Sequence, residues 1–509
     1  MSRASKPAVG QNPMSSPALS STPAMAAGPR PLPLFAKLLY GVGEMPITVL
    51  MFLSGIFLLF FYKSVMGLPP ALAGLGLSAS LVLDAVLDPY IGHLSDRTRS
   101  RLGRRHTFML PGALAMGICF VLLFTPPQHL NPAVLFVWLL VCSISVRVTS
   151  AVYRIPYLGL GAELSRDYDD RTSTMAIRAL FGLLGILAAA WLSFRLFFPA
   201  AADRLQYPGY ARLGLAFGAI MTGAGLFSFF GTLGYRNSGA PTTIAAPHFF
   251  SGFWISMRNS AFRKIWIAST VFFLAVTLNF SMAIDYFTWY AKIHGGGTLS
   301  SIWTYFGAGA LLGVLMWLVL ARRAEKRNLY LFAMAATAMV LLGAYVFVGD
   351  GRLFGTGHAL PLMMGHVLAG IFASAYWVLP PSMVADVTDT DELSTGMRRE
   401  GIYYGIMNFG EKIAAGGALF LAGILLTVFR KVSHGTVVDV HGGALGTHVI
   451  PLGTQGPPVD VPYVGILYGP VPALLILISL ISIFSYRLDR RTAHSIQQQL
   501  AARGKRGGA

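Results

Sequence analysis

Long apolar runs separated by short polar segments occupy the chain from residue 34 to residue 486. A run of about 20 mostly apolar residues has the length that an α-helix needs to cross a bilayer. The pattern predicts twelve such spans, six before and six after a longer polar stretch. The predicted spans are 34–62, 71–94, 107–125, 133–162, 174–198, 213–235, 265–293, 300–320, 329–348, 358–384, 402–429 and 463–486.

This order of elements predicts an all-α membrane protein in which twelve transmembrane helices form two pseudo-symmetric six-helix bundles. We expect the bundles at 34–235 and 265–486, joined by a cytoplasmic linker at 236–264. Within the linker, 249–264 fits either an amphipathic surface helix or an irregular segment. We also expect a disordered cytoplasmic tail at 1–33, which lacks the apolar core of a signal peptide, and a basic cytoplasmic tail at 487–509.

Composition agrees with lipid as the solvent, because 54% of the residues are hydrophobic and only 12% are charged. Soluble domains carry roughly 25% charged residues. The formal net charge is +18, but the basic residues lie in short loops and form no continuous face, so we exclude a nucleic-acid partner. The two cysteines, each inside an apolar run, indicate packing rather than a disulfide or a metal site.

Basic residues also predict the orientation, because Lys and Arg collect in cytoplasmic loops. The loops after spans 2, 8 and 10 are rich in them, whereas the loops after odd spans, including 430–462, are poorer. We therefore expect both termini in the cytoplasm and a multi-pass, monomeric protein of the plasma (inner) membrane. The loop with Arg104 and Arg105 fits an inter-helix latch and topology signal better than a phosphate site.

Two aspartates in span 2 are the clearest candidates for chemistry. At 1.5 Å per residue, Asp84 lies about 20 Å and Asp88 about 14 Å inside the basic loop that begins at Arg97, within a hydrocarbon core about 30 Å thick. Their i, i+4 spacing places both carboxylates on one helix face. Such a pair predicts a coupling-ion site for Na⁺, Li⁺ or a proton. The alternatives are a helix cap or a salt bridge to Lys412 or an arginine.

Further charges and aromatic residues lie near the same depth. Arg154 in span 4 is predicted to bind substrate or to pair with one of the aspartates, and Lys412 lies inside span 11. Pro156 interrupts the hydrogen-bond ladder of span 4, which suits a helix that lines a cavity. Tyr157 is one of several aromatics that fit either stacking on a substrate or packing.

A dense mixed-charge segment follows span 10, and we interpret it as a cytoplasmic gate, with a solvated loop as the alternative. Its charges are Asp386, Asp391, Glu392, Arg398, Arg399 and Glu400.

Enzymes are excluded, because the chain has no G-x-S-x-G or H-E-x-x-H motif and no clustered histidines. We expect no cofactor and no metal beyond a Na⁺ ion at the aspartate pair; H⁺ is the other candidate coupling ion.

Three stretches resemble the glycoside–pentoside–hexuronide:cation symporter family of the major facilitator superfamily, the group of melibiose permease-like proteins. They are "YGVGE…YKSVMGLPPALAGLGLSASLVLDAVLDPYIGHLSDRTRSRLGRR", "IPYLGLGAELSRDYDDRTSTMAIRALFG" and "ADVTDTDELSTGMRREGIYYGIMNFGEKIAAGGALF". The resemblance implies the major facilitator fold, alternating access and cation-coupled uptake of a small-molecule substrate. It assigns Asp84 and Asp88 to the cation site, and Arg178 and Lys412 to the sugar site.

The chain departs from the family pattern at four positions. Thr48 and Arg154 stand where the family has sugar-binding acids, and Ala151 and Leu87 stand where it has polar partners of the cation. We therefore expect a symporter of a glycoside or another sugar-type solute. The alternative is a transporter of an anionic or amphipathic solute, such as a uronide, an organic acid or a lysophospholipid.

Overall fold

The computed structural model describes residues 32–98, 100–164, 168–235, 249–397, 399–434, 461–486 and 488–507. Within these ranges it contains no strand and twelve helical spans that are long and apolar enough to cross a membrane. The predicted all-α fold with six spans in each half is confirmed. Most of the predicted N-terminal tail (1–31), much of the loop after span 11 (435–460) and Arg398 lie outside the described residues.

The first half contains spans 1 to 6, and its π-helical turns lie in the second part of span 1 and at the end of span 5. The helices are Leu34–Val42 and Met45–Leu53 with π segments Ser54–Leu58 and Phe61–Val65 (span 1), Pro70–Arg97 (span 2), His106–Phe124 (span 3), Pro132–Leu164 (span 4), Tyr168–Leu192 with π segment Ser193–Phe197 (span 5) and Tyr207–Thr232 (span 6), with 3-10 turns Ala202–Leu205 and Leu233–Tyr235.

The second half contains spans 7 to 12 and two helices outside the spans. The helices are Phe249–Arg258 (in the linker), Ser260–Asp285 with π segment Tyr286–Tyr290 (span 7), Gly296–Leu320 (span 8), Lys326–Val346 (span 9), Ala359–Ala373 and Ala375–Thr395 (span 10), Glu400–His434 (span 11), Val461–Tyr468 and Pro470–Phe484 (span 12) and Arg490–Gly507 (in the C-terminal tail).

Span 7 begins earlier than its hydrophobic pattern predicted. The Asn259 side chain accepts hydrogen bonds from the backbone N–H groups of Ala261 and Phe262 and so caps the helix that starts at Ser260. An asparagine cap satisfies N–H groups that would otherwise have no partner at a helix start. Residues 236–248 of the linker lie outside the described residues, Phe249–Arg258 is helical, and the helix of span 7 starts about one turn before the predicted boundary at 264/265.

Span 10 also extends beyond its predicted end at 384. The helix continues to Thr395 and ends at Gly396, whose φ of 73° is a left-handed conformation that glycine adopts without strain. Asp386, Asp391 and Glu392 therefore lie on a helix rather than in a loop. Span 4 continues through Pro156 as one helix, so the predicted interruption does not end it.

The bundle has two ends, which we call the odd-loop end and the even-loop end after the connections that they carry. The halves meet where span 2 packs against span 11, span 5 against span 8, and span 1 against span 7. Gly74 and Gly423 permit the first of these contacts near the odd-loop end, because a Cβ atom on Gly74 would lie 2.5 Å from the carbonyl oxygen of Leu419. The helix backbones are in direct contact there.

Candidate functional site

Span 2 and span 11 bring opposite charges together at mid-membrane depth. The Lys412 ammonium lies 2.7 Å from Asp84 Oδ2 and 2.5 Å from Asp88 Oδ2. One cation contacts both carboxylates because Asp84 and Asp88 share a helix face, as the i, i+4 spacing predicted. Since Lys412 belongs to the second half and the aspartates to the first, this contact ties the two halves together.

Span 4 adds a second cation from the first half. Arg154 Nη2 donates to Asp88 Oδ1 at 2.9 Å and to Asp88 Oδ2 at 2.8 Å. We call Asp84, Asp88, Arg154 and Lys412 the charged cluster. About a fifth of the Arg154 and Asp88 side chains remains accessible, compared with 8% of Asp84, so the cluster is reached from the Arg154 side.

The structure thus shows the ion pairs that were the alternative interpretation of the aspartates and of Arg154. The cluster does not fit a Na⁺ ion in this conformation, because three of the four carboxylate oxygens contact Lys412 or Arg154. A hard cation needs a shell of several oxygen ligands. Ala151 and Leu87 supply no side-chain oxygen nearby in sequence, and the hydroxyl of Thr149 donates within its own helix. The coupling-ion role of the aspartates stays a prediction.

Arg147 is a charged residue that the sequence interpretation missed. It lies two helical turns before Arg154 in span 4, so both side chains start from the same helix face. Among the described residues Arg147 makes no ion pair within 4.0 Å. The rule that singled out the aspartates, a charge kept inside an apolar run, would have found it.

The residues predicted to bind sugar in spans 1 and 5 form a separate group. Arg178 Nε lies 3.7 Å from Glu44 Oε2, at the point where span 1 is broken between Val42 and Met45. The Thr48 hydroxyl donates to backbone carbonyls of its own helix, and its side chain faces span 5 near Gly185. The structure brings Thr48 and Arg178 close to Glu44, and their role in substrate binding stays a prediction.

Tyrosines of span 4 hold the break in span 1. The Tyr157 hydroxyl donates to the Tyr40 carbonyl at 3.0 Å, and the Tyr153 hydroxyl donates to the Gly43 carbonyl at 3.0 Å. Both tyrosines are fully buried. In this conformation the Tyr157 hydroxyl adds a second hydrogen bond to the Tyr40 carbonyl, which also accepts from the Gly43 N–H at 3.0 Å. The predicted contact of Tyr157 with substrate stays untested.

The charges predicted as a latch or as a gate form ion pairs near the even-loop end. Arg104 and Arg105 both lie 2.8 Å from Glu163, within the first half. In the second half, Lys326 contacts Asp386 at 2.6 Å and Arg399 contacts Asp391 at 2.8 Å. Each of these four pairs joins residues of a single half. The gate role stays a prediction for them and also for Glu392 and Glu400, which make further interactions, and Arg398 lies outside the described residues.

A second ion pair between the halves lies at the odd-loop end. Lys63 of span 1 contacts Asp285 of span 7 at 2.5 Å, and both side chains have 0% exposure. Each residue is in or beside a π-helical segment, Phe61–Val65 or Tyr286–Tyr290. Asp285 lies inside predicted span 7, and Lys63 falls just beyond the predicted end of span 1 at residue 62.

Further hydrogen bonds close the same end. Arg204, fully buried between spans 5 and 6, donates to the Thr288 hydroxyl and to the Ile293 carbonyl, both at 2.8 Å. The Gly296 N–H donates to the Pro199 carbonyl at 2.7 Å. Together with the Lys63–Asp285 pair, these bonds seal the odd-loop end between spans 1, 5, 7 and 8.

Comparison with known proteins agrees with this architecture. The family profile described as "MFS/sugar transport protein" matches residues 39–490. An uncharacterized symporter of Synechocystis sp. is 26% identical over 547 residues, covering 92% of this chain and 96% of the relative. The isoprimeverose transporter of Lactiplantibacillus pentosus is 22% identical over 424 residues, covering 82% of this chain and 84% of the relative.

A solved structure shows the same fold. The bacterial homologue of the human lysosomal transporter Spinster, in an inward-facing and unoccupied conformation, superposes with a TM-score of 0.60 at 13% identity, over 90% of this chain and 98% of that one. The profile, the relatives and the twelve spans identify a multi-pass membrane transporter and not an enzyme. The chain belongs to the glycoside–pentoside–hexuronide:cation symporter family within the major facilitator superfamily.

Proposed function

We propose that this protein is a cation-coupled secondary symporter that takes up an organic solute of the sugar type by alternating access. The observation that carries the proposal is the contact of Lys412, in the second half, with Asp84 and Asp88, in the first half. Any change in the charge of the aspartates changes the free energy of a contact between the halves. That is the physical requirement for coupling an ion to a conformational change.

In the proposed cycle, the odd-loop end faces the outside, and both termini lie in the cytoplasm. Solute binds between the halves, beside the charged cluster and the Glu44–Arg178 pair. Binding of the coupling ion and of the solute together changes which groups Lys412 and Arg154 contact. The halves then rock about the central site, opening one end while the other closes.

The name of the isoprimeverose transporter supports a sugar-type solute. A second candidate is an anionic solute, and one observation favours it. Arg154 stands in the charged cluster where the family pattern has an acid, so the cluster offers a guanidinium to the solute. Guanidinium groups suit carboxylate and phosphate partners. Of the coupling ions expected from the sequence, we favour H⁺, because a proton needs no shell of oxygen ligands.

Uptake by the purified protein in proteoliposomes tests the proposal. Neutral glycosides, uronides and a lysophospholipid are offered under a Na⁺ gradient or a pH gradient, each imposed alone. We expect one gradient to drive accumulation, and the double variant Asp84→Asn/Asp88→Asn to abolish that accumulation. Asp350→Asn is the matched control, because Asp350 is an exposed carboxylate outside the spans. Gradient-driven uptake by the double variant at the wild-type rate would refute the coupling role.

A further inference from the structure

We infer that Arg154 and Lys412 are tethered counter-cations that replace a metal ion at the aspartate pair, and that together with Arg147 they form a receptor for an anionic group of the transported solute. The inference rests on the proposed transport function and narrows its ion and its solute class. It predicts transport that does not depend on Na⁺ and that selects anionic over neutral solutes.

The contacts of the carboxylates support the first part. Lys412 and Arg154 take three of the four carboxylate oxygens of Asp84 and Asp88, at 2.5 to 2.9 Å. These are the distances of charge-assisted hydrogen bonds. A Na⁺ ion would have to displace both side chains and would leave two buried cations without partners, which is costly in a low-dielectric interior.

The balance of charge supports the second part. Arg147, Arg154 and Lys412 carry three positive charges, and Asp84 and Asp88 carry two negative charges, which leaves +1. A solute with one negative charge cancels this excess, which any added coupling cation would raise to +2.

Neighbouring acids do not change this balance. Glu44 pairs with Arg178 and adds no net charge. Glu411 lies beside Lys412 in sequence, but it accepts a hydrogen bond from Tyr376 of span 10 at 2.6 Å and so faces the second half rather than the cluster. The excess of one positive charge therefore stays at the interface between spans 2, 4 and 11.

Unused hydrogen-bond donors complete the receptor. Arg154 contacts Asp88 through Nη2 alone, and within the described residues its Nε and Nη1 atoms donate to no protein group. The Arg147 guanidinium likewise has no hydrogen bond there, although it lies inside the span. The two arginines start from the same face of span 4, about 10 Å apart along the helix axis. A carboxylate, sulfonate or phosphate group accepts such donors in pairs.

Two measurements on the full chain test the inference. The first is thermal stabilisation of the detergent-purified protein by glucuronate, inorganic phosphate, sulfate or lysophosphatidate, each compared with glucose and with NaCl. We expect at least one of the anions to stabilise the protein, and NaCl to have no effect beyond that of choline chloride. Arg147→Gln and Arg154→Gln should each weaken anion binding about tenfold or more, the size of one charge-assisted hydrogen bond. Arg212→Gln, an exposed arginine of span 6, is the matched control.

The second measurement is uptake of a methyl glucoside and of the corresponding glucuronide, with all Na⁺ replaced by choline. We expect the glucuronide to be preferred, and the preference to fall in Arg147→Gln. Uptake that requires Na⁺, stabilisation by Na⁺, or binding of none of the four anions would overturn the inference. Ion-driven uptake of neutral glycosides would overturn it while leaving the proposed symporter intact, whereas ion-independent equilibration of every solute would refute the proposed function instead.

Discussion

The buried pair between Lys63 and Asp285 allows a quantitative test of how the odd-loop end is held closed. In Asp285→Asn the shape of the side chain is kept and its charge is lost, so the Lys63 ammonium is left without a counter-charge in a site with 0% exposure. Removing one partner of a buried ion pair costs about 3–5 kcal/mol. We expect a loss of that size in the free energy of unfolding.

The same substitution should shift the conformational equilibrium. The penalty applies to the closed arrangement, because opening the odd-loop end gives water access to the ammonium. A penalty of about 3 kcal/mol corresponds to roughly a hundredfold change in the ratio of closed to open molecules. The double variant Lys63→Met/Asp285→Leu should recover most of the lost stability, because an apolar pair of similar volume has no charge to desolvate.

Chemical denaturation in mixed micelles measures the first effect, and hydrogen–deuterium exchange measures the second. Exchange should become faster in the segments around Arg204 and Gly296, which close the odd-loop end, and should stay unchanged around Glu163 at the even-loop end. Asp350→Asn is the control of matched chemistry, because the Lys292–Asp350 pair has a similar distance, 2.6 Å, but is exposed. Exposed pairs add little stability, so no measurable change is expected there. Unchanged stability and exchange in Asp285→Asn would refute the reasoning.

Two further predictions concern other contacts. Gly74→Leu should also open the odd-loop end, because the new side chain would collide with the backbone of span 11. The expected result is faster hydrogen–deuterium exchange in span 11. Gly55→Ala is the control and should behave like wild type, because a Cβ atom at Gly55 would have no atom within 4 Å. Tyr376→Phe should lower the free energy of unfolding by about 1–3 kcal/mol, because Glu411 loses the hydroxyl that donates to it in a part-buried site; an unchanged value would show that water replaces the hydroxyl.

Hydrophobic patterning predicted the fold well, because lipid imposes one strong constraint on every span. It also located Asp84, Asp88 and Lys412 correctly within spans 2 and 11. Their pairing was one of the alternatives that the sequence left open. The sequence could not decide between them, since Lys412 lies 324 residues from Asp88 and the contact depends on how the halves pack. The pairing of Lys63 with Asp285 could not be derived from the sequence for the same reason.

Other differences have local causes. Arg147 went unnoticed although its position inside an apolar run was visible. The extension of span 10 to Thr395 was missed because a helix that leaves the membrane loses its apolar pattern but keeps its hydrogen bonds. Arg154 stands where the family pattern has an acid, which indicated a changed site. Only the structure shows that the Arg154 guanidinium contacts Asp88.

The π-helical segments that end spans 1, 5 and 7 have a mechanical consequence. In each of them the backbone hydrogen bonds span one residue more than in the α-helix that it continues, so the segment holds one surplus residue. Such a surplus residue can pass along a helix by exchanging one hydrogen bond at a time, which turns the side chains that it passes by roughly 100° without lengthening the helix. The ends of spans 1, 5 and 7 can therefore rotate about their own helix axes. Opening of the odd-loop end then need not bend any span as a whole.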